Sequence, residues 1–138
     1  MPEPRKENQM NDHVIIAVDF DGTIFEDAFP EIGKPIPAVI DWLKASKRNG
    51  AKLILWTCRC GEYLSRAISA CLDVGLRFDA VNENLPETIE RFGGDCRKIV
   101  ADIYVDDKGL TPADIERNWK RTISQFDWYD TEKYQIDP

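Results

Sequence analysis

The most informative stretch of the sequence is VIIAVDFDGT, residues 14–23, in which five apolar residues are followed by Asp19, Phe20, Asp21 and a glycine. A continuous run of apolar, mostly β-branched residues is typical of a strand buried on both faces, as in a parallel sheet. Asp19 and Asp21 follow at the carboxyl end of this strand, where their negative charges repel each other. We therefore expect the rest of the chain to bring a counter-charge to this end of the strand.

The segments after this strand alternate between helical and extended patterns. Apolar residues repeat with helical spacing over residues 36–43 and 64–72, and a glycine follows each stripe, at Gly50 and Gly75. Strand-like runs lie between and after them, two strong and one weak: KLILW (52–56), IVADIYV (99–105) and the weaker FDAVN (78–82). This alternation predicts an α/β fold, a doubly wound, Rossmann-like parallel sheet with helices on both faces.

The chain is expected to form one domain over residues 13–124, because 138 residues are too few for two ordinary domains. The domain's last helix begins at Thr111, a typical N-cap residue, and runs past Trp119. We predict a flexible polar tail over residues 1–12 and an acidic, aromatic tail over residues 125–138.

Composition limits the classes of function. The net charge of −7 argues against non-specific binding of nucleic acids, which requires a basic surface. No apolar run reaches the ~20 residues of a membrane span, and the first residues lack the apolar core of a secretory signal. The four cysteines show neither a disulfide framework nor the spacing of a common zinc site. These features predict a cytoplasmic protein with reduced cysteines that does not bind membranes.

Polar residues follow several of the predicted strands, at the edge where parallel sheets bind ligands. Asp19 and Asp21 follow the first strand, Thr57 the second, and Asp106 and Asp107 the last. Each alone is an ordinary loop residue, but four acids and a threonine at one edge favour a site. An all-oxygen ligand set suits Mg²⁺ and a substrate phosphate. One carboxylate can then attack phosphorus while a second transfers protons.

These residues lie in motifs that resemble a known superfamily. DFDGT (19–23), LILWT (53–57), Lys98 and YVDD (104–107) resemble the four ordered motifs of the haloacid dehalogenase (HAD) superfamily. The resemblance covers roughly residues 14–110, and the first motif is its most specific part. It implies a HAD-like phosphohydrolase that cleaves phosphomonoesters with Mg²⁺ through an aspartyl-phosphate intermediate.

The resemblance also implies roles for individual residues. Asp19 is the expected nucleophile and Asp21 the expected general acid and base, while Thr57 and Lys98 are expected to bind the phosphoryl group. The Mg²⁺ ion is expected to be held by the Asp19 carboxylate and the Asp21 backbone carbonyl, together with Asp106 and, directly or through water, Asp107.

Gly22 and Arg59 are further candidates for phosphate binding. Gly22 is expected to let the chain leave the strand sharply beside the phosphate. Arg59 could bind a substrate phosphate with two hydrogen bonds or pair with Glu62 on the surface, and both alternatives stay open. Lys98 lies only eight residues before Asp106, a shorter interval than in many relatives. If Lys98 does not bind the phosphoryl group, Arg97 and Lys108 are the alternative candidates.

The segment after the first motif corresponds to a flap over the site in this superfamily. Phe25, Phe29 and Pro30 lie in it, and they could line an apolar part of the substrate pocket or close the core beneath it. The intervals between the motifs are too short for a cap domain, so the resemblance implies an open site. Such a site needs cover from a partner subunit of a homo-oligomer, or takes a large substrate such as a phosphorylated macromolecule or nucleic-acid end. A phosphorylated small molecule is the other expected substrate class.

Three alternatives to a phosphohydrolase are considered. A catalytically idle member would bind a phosphorylated ligand or a protein partner, and a phosphotransferase would pass the phosphoryl group to an alcohol instead of water. A phosphorylatable receiver domain also combines acids, a threonine and a lysine on a doubly wound sheet, but it places its acidic pair first and its lysine last. The order in this chain is the reverse, which argues against a receiver.

Overall fold

The computed structural model describes residues 13–117. Its elements, in chain order, are β1 (Ile15–Val18), α1 (Pro37–Arg48), β2 (Lys52–Leu55), α2 (Gly61–Asp73), β3 (Ala80–Val81), α3 (Pro86–Phe92) and β4 (Ile103–Val105). The chain divides into two compact units, Met1–Asp107, which contains all of these elements, and Lys108–Pro138. The predicted tails, residues 1–12 and 125–138, lie outside the described residues.

The sheet of the described chain is parallel throughout. Its strand order is β3-β2-β1-β4, and every pair of neighbouring strands is parallel. The predicted α/β class with a Rossmann-like parallel sheet is therefore confirmed. β1 lies in the interior of the sheet, and its last residue, Val18, is opposite both Leu55 and Val105. Because of this register, β1, β2 and β4 end at the same edge of the sheet.

The interior strands are buried on both faces, as the apolar run predicted. Alternate residues of β1 and β2 enter two different hydrophobic clusters, so that Val18 belongs to one and Ala17 to the other. The first cluster packs against α1 and α2 through buried residues such as Leu43 and Cys71. The second is completed by Leu85 and by residues including Ile99 and Ala80. Burial on both sides fixes the direction and register of these strands.

The strand predicted over residues 99–105 is shorter than expected, since only Ile103–Val105 forms β4. The backbone before it makes other bonds. The N–H of Val100 donates to the Asn84 side chain at 2.7 Å, and the Asp102 carboxylate accepts the N–H of the first residue of β1 at 2.7 Å. These side-chain bonds accompany a main-chain bond from the N–H of Asp102 to the carbonyl of Ile15 at 2.8 Å, and Asp102 has the structural role expected of an acid at the end of β4 opposite the site. The weak strand over 78–82 is likewise reduced to β3.

The second unit is described only over residues 108–117, of which 112–117 are helical. Thr111 caps this helix, because its Oγ1 accepts the N–H of Asp114 at 3.1 Å while the Asp114 carboxylate accepts the N–H of Thr111 at 2.9 Å. The predicted N-cap is thus confirmed. Trp119 lies outside the described residues, and the predicted end of the domain at residue 124 stays a prediction.

No helix among residues 13–117 is long and apolar enough to cross a bilayer. α2 has 13 residues, whereas a span requires about 20.

Leu53 tests how much the buried centre of the sheet contributes. Its side chain is fully buried in β2, so Leu53→Ala is expected to lower the free energy of unfolding by about 3 kcal/mol through lost burial and a cavity. Urea denaturation followed by circular dichroism measures this change. The same substitution at Leu72, which is 46% exposed on α2, is the control and should cost less than about 0.5 kcal/mol. Equal losses for the two variants would contradict this account of the core.

Candidate functional site

The carboxyl end of β1 is the point where the predicted site residues meet. The backbone ladder continues one residue beyond the strand, since the N–H of Asp19 donates to the carbonyl of Val105 at 3.0 Å. On the other side, the N–H of Trp56 donates to the carbonyl of Val18 at 2.9 Å. Asp19 is therefore held beside the first residue after β4 by main-chain bonds.

Three of the four predicted acids form a cluster at this edge. Carboxylate oxygens of Asp19, Asp106 and Asp107 all lie within 4.8 Å of one another. Asp19 is half-buried at the base of the cluster, and the other two side chains are exposed. We call these three residues the acidic cluster. The carboxylate of the fourth acid, Asp21, has a different partner.

The surroundings of Asp19 disfavour its negative charge. Its pKa is raised from an ordinary value of 3.8 to about 6, chiefly by burial, and the charges of Asp106, Asp107 and Asp21 act in the same direction. The backbone N–H of Phe20 opposes this shift by donating a hydrogen bond to the carboxylate. A cation among the carboxylates would remove the repulsion. The donors are all oxygens, and they fit a hard divalent ion such as Mg²⁺.

Gly22 makes room for this cluster. Its φ of +83° lies in the left-handed region, and a Cβ built on it would lie 2.2 Å from Oδ2 of Asp107. The turn that it occupies is tight, because the N–H groups of residues 23, 24 and 25 all approach the carbonyl of Phe20 at 3.1–3.2 Å. A side chain at position 22 would push Asp107 out of the cluster. The sequence predicted a need for glycine here, and the neighbour that imposes it is Asp107.

Asp21 is held by Arg59 in a buried ion pair. Nε and Nη2 of Arg59 donate to the two carboxylate oxygens of Asp21, each at 2.8 Å. The Arg59 side chain is 1% exposed and that of Asp21 is 19% exposed. This bidentate contact supplies the counter-charge expected for the second aspartate of the motif. The suggested surface pair between Arg59 and Glu62 is wrong, since Glu62 pairs with Arg66 at 2.9 Å.

The remaining donors of Arg59 bind main-chain carbonyls. Nη1 donates to Pro30 and Tyr63 at 3.2 and 3.3 Å, and Nη2 also donates to Glu31 at 2.8 Å. All five N–H groups of the guanidinium are thereby used. Its plane also lies against two aromatic rings, with Cζ at 5.0 Å from the centroids of both Phe20 and Phe29. With its donors occupied, Arg59 positions Asp21 and the flap; the predicted phosphate contact would require it to release one of these partners.

Thr57 follows β2 at the same edge of the sheet. Its Oγ1 accepts the N–H of Arg59 at 3.1 Å, and its own N–H donates to the Asn82 side chain at 2.8 Å. Asn82 adopts a φ of 55°, which turns the chain directly after β3. A hydroxyl that accepts one hydrogen bond still has its own proton to donate, as a phosphate-binding threonine must. Two hydrogen bonds thus fix the position of Thr57. Nothing in the sequence indicated that Asn82 would provide one of them.

Lys98 lies in the loop between α3 and β4, with an exposed side chain. Asn84, which is 2% exposed, holds this loop by donating from Nδ2 to the Asp95 carboxylate at 2.8 Å and to the Cys96 carbonyl at 3.2 Å. The bonds from Asn84 lower the pKa of Asp95. Within residues 13–117, no ion pair joins Lys98 to the acidic cluster, so its role as a phosphate ligand stays a prediction. Of the substitutes, Arg97 is exposed in the same loop and Lys108 begins the second unit.

The flap, residues 25–35, begins and ends in a small antiparallel contact. Phe25 pairs with Pro35, and the N–H of Glu26 donates to the carbonyl of Lys34 at 2.7 Å. Of the two roles left open for the aromatic residues, closing the core is confirmed for Phe25, and lining the substrate pocket stays a prediction. Phe25 is 4% exposed and stacks on Phe20, so it closes the core, whereas Phe29 is 55% exposed and covers Arg59 from the solvent side.

The fold and this site together define an α/β protein with a Rossmann-like parallel sheet and three clustered carboxylates at the carboxyl ends of β1 and β4. No protein-family model matches the chain, and no curated protein sequence matches it. A solved structure described as the conserved protein coded by locus from Bacteroides thetaiotaomicron matches with a TM-score of 0.64 and 38% identity. The match covers 86% of this chain and 99% of that one, so this chain belongs to the same family as the Bacteroides protein.

The ion pair of Arg59 and Asp21 is expected to contribute strongly to stability. Arg59→Ala leaves a shielded carboxylate and three main-chain carbonyls without their donor, and it should lower the free energy of unfolding by about 3 kcal/mol. Urea denaturation measures the loss. Arg66→Ala is the matched control, because the exposed pair of Arg66 and Glu62 on α2 should contribute only about 0.3–0.5 kcal/mol. A loss at Arg59 no larger than that at Arg66 would contradict the assignment of the buried pair.

Asp19→Asn is expected to stabilise the metal-free protein at high pH. Because the pKa of Asp19 is about 6 when folded and 3.8 in the ordinary state, the folded protein binds this proton more tightly. Wild-type stability therefore falls as pH rises through this interval, and the neutral amide avoids the loss. A pKa shift of this size corresponds to about 3 kcal/mol. Because solvent screens this partly exposed site, Asp19→Asn is expected to raise the free energy of unfolding at high pH by only about 1–2 kcal/mol.

The measurement is urea denaturation in EDTA at pH 8 and again below pH 4, where the gain should approach zero. Asp41→Asn, at an exposed position of α1, is the control and should change stability by less than about 0.5 kcal/mol at either pH. An Asp19→Asn protein that is no more stable than wild type at pH 8 would show that burial and the neighbouring acids do not disfavour the charge of Asp19.

Proposed function

We propose that this protein is a Mg²⁺-dependent phosphohydrolase that cleaves phosphomonoesters through a phosphoryl group carried on Asp19. The observation that carries the proposal is the acidic cluster, in which Asp19 lies within 4.8 Å of two further carboxylates at the end of an interior parallel strand. Carboxylates clustered in this way offer ligands to a hard cation, and protein-bound Mg²⁺ commonly binds a substrate phosphate as well. The pattern DFDGT supplies the second carboxylate that the reaction requires.

In this proposal the carboxylates of Asp19 and Asp106 and the backbone carbonyl of Asp21 would hold the metal, with Asp107 adjacent. When bound, Mg²⁺ neutralises the acids and draws electron density from the phosphoryl oxygens. Gly22 supports this role indirectly, because its lack of a side chain leaves Asp107 its place in the cluster.

The chemistry proceeds in two displacements at phosphorus. A carboxylate oxygen of Asp19 attacks the phosphorus of a singly protonated phosphomonoester, the bond to the ester oxygen breaks, and the Asp21 carboxylate passes the proton of the substrate to the departing oxygen. Water then attacks the same phosphorus, gives a proton to Asp21, and the bond to Asp19 breaks. Inorganic phosphate leaves with the proton from Asp21, and both aspartates are carboxylates again.

Arg59 supports the proposed role of Asp21 by fixing its orientation. Two of the lone-pair sites of the Asp21 carboxylate accept hydrogen bonds from Arg59, and the others stay available for proton transfer. A carboxylate on a loop would otherwise sample several rotamers, and only some of them would face the ester oxygen. Thr57 and Lys98 are proposed to bind the phosphoryl oxygens, the first through its hydroxyl and the second through its charge.

The finer architecture belongs to the same proposal. The strand order β3-β2-β1-β4, in which the chain returns past β1 to add β4, supports a doubly wound, HAD-like topology. Between β1 and β2 the described chain contains the flap and α1, which supports a site without a cap domain. We propose that the protein is cytoplasmic and that a second subunit, or a large phosphorylated substrate, covers the open site.

Phosphate release tests the proposal directly. Wild-type protein with Mg²⁺ is expected to hydrolyse para-nitrophenyl phosphate, and Asp19→Asn should lower kcat at least about 10³-fold because the nucleophile is lost. Acid quenching during turnover should trap a phosphoryl group on the wild-type protein, stable in acid and released by hydroxylamine. Asp102→Asn is the matched control, since it changes an acid at the opposite end of β4 and its amide oxygen can still accept the N–H of Ile15.

The competing functions are separated by the same assay. Silence of the wild type across a panel of phosphorylated metabolites, combined with Mg²⁺-dependent binding of BeF₃⁻, would replace the enzyme with an idle binding module. Transfer of the phosphoryl group to added glycerol in place of water would identify a phosphotransferase. Equal activity of wild type and Asp19→Asn would overturn the proposed mechanism.

A further inference from the structure

Two cysteines flank Arg59 in the segment that joins β2 to α2. Cys58 and Cys60 are both exposed free cysteines, and we call them the thiol pair, whereas Arg59 between them is buried. Cys60 is the N-cap residue of α2, but its side chain makes no capping hydrogen bond. Both thiols are therefore open to a small reagent in solvent, while the residue that separates them is held inside the protein.

The two sulfurs of the thiol pair are close enough to form a disulfide. The Cα atoms of residues two apart in a chain are separated by at most about 7 Å. Disulfides join Cα atoms that lie about 4.4–6.8 Å apart. A bridge between Cys58 and Cys60 therefore requires little movement of the chain. The movement that it does require falls on the backbone of Arg59, because this is the one residue that the new ring encloses.

Arg59 has little freedom to move without losing its contacts. Its Nε and Nη2 bind the Asp21 carboxylate at 2.8 Å, and its donors also bind three main-chain carbonyls of the flap and α2 at 2.8–3.3 Å. Its own N–H donates to Oγ1 of Thr57 at 3.1 Å. These bonds depend on distance and angle, so a turn of the Arg59 backbone breaks several of them at once.

The other two cysteines of the chain are placed differently. Cys71 is fully buried on α2, and burial raises the pKa of its thiol to about 12, so it stays protonated and out of reach of solvent. Cys96 is exposed in the loop between α3 and β4, and it has no second cysteine in its own segment. Of the four cysteines, Cys58 and Cys60 alone are both exposed and close together in the sequence.

We propose that the thiol pair is a site of reversible oxidation, at which a hydroperoxide joins Cys58 and Cys60 in a disulfide that displaces Arg59. One sulfur gives up its proton and attacks an oxygen of the hydroperoxide. The O–O bond breaks, a sulfenic acid forms, and the other oxygen leaves with the proton as water or an alcohol. The second sulfur then attacks the sulfenic sulfur, the S–O bond breaks, and water leaves. The two thiols lose two electrons in total, and the hydroperoxide gains them.

The disulfide acts on the rest of the molecule through Arg59. Displacement of the guanidinium removes the counter-charge of Asp21 and the bonds to the Pro30 and Glu31 carbonyls of the flap. A shielded carboxylate without its partner is destabilising, so the oxidised protein is less stable than the reduced protein. Under the proposed function it is also less active, because Asp21 loses its orientation. Reduction by a dithiol restores both properties.

Mass spectrometry tests whether the bridge forms. Reduced wild-type protein is treated with hydrogen peroxide, its remaining thiols are blocked with iodoacetamide, and it is digested with trypsin. The expected product contains residues 53–59 and 60–66, linked by a bridge that dithiothreitol opens. Cys58→Ser and Cys60→Ser should each abolish this product, whereas Cys96→Ser is the matched control and should leave it unchanged. A bridge to Cys96 or between two molecules, or oxidation of the thiol pair without a bridge, would overturn the proposal.

Urea denaturation tests whether the bridge displaces Arg59. Oxidation is expected to lower the urea midpoint of the wild type by about 1 M, and dithiothreitol should restore it. Cys60→Ser after the same peroxide treatment should keep its midpoint within about 0.2 M. Arg59→Ala has already lost the contacts, so its oxidation should lower the midpoint by less than about 0.3 M. This variant also subtracts any effect of the ring itself.

The outcomes decide between a switch and an inert bridge. A wild-type protein that forms the bridge and keeps its midpoint would overturn the displacement of Arg59, as would an equal loss in Arg59→Ala. If Arg59→Ala does not fold, the comparison with Cys60→Ser decides. Under the proposed function, kcat for para-nitrophenyl phosphate should fall at least about tenfold on oxidation and recover with dithiothreitol. A reduced wild type without phosphatase activity would contradict the proposed function alone, because the mass and the midpoint are measured independently of it.

Discussion

The site depends on the register of β1 between β2 and β4. Val18 is opposite Leu55 on one side and Val105 on the other, so the residues that follow the three strands emerge at one edge. Asp19 continues this ladder by one bond and cannot move away from the acids that follow β4. The repulsion among these carboxylates is imposed by the backbone, and the buried interior of the sheet maintains it. A shift of register by one residue would turn the side chains of β1 to the opposite faces.

The two aspartates of the first motif are stabilised in different ways. Asp21 has a protein counter-charge in Arg59, which is shielded from water and bound through every donor. Asp19 is half-buried beside two further acids, and its pKa is raised chiefly by the burial and in addition by the charges of those acids. Two carboxylates separated by a single residue thus have opposite electrostatic environments. The proposed mechanism likewise gives the two residues different roles, since Asp19 would bind the metal and attack phosphorus while Asp21 would transfer protons.

Arg59 connects parts of the molecule that would otherwise be independent. It joins the turn after β1, the flap and the start of α2 through Asp21, the Pro30 and Glu31 carbonyls and the Tyr63 carbonyl. The position of the Phe29 ring follows from the same contact. The Asp21 carboxylate and the flap therefore share one support, and the geometry of one constrains the other.

Local patterns in the sequence were sufficient to predict the interior strands, the two long helices and the acids of the cluster. Each of these depends on a local pattern, either an apolar period or a motif such as DFDGT, that is legible within about ten residues. The partner of Arg59 is Asp21, 38 residues away along the chain, and no local pattern predicts this pair. The bonds of the buried Asn84 and the shortening of β4 are likewise visible only in the tertiary structure. Such contacts join side chains from distant segments, and they exist only after the sheet register has brought those segments together.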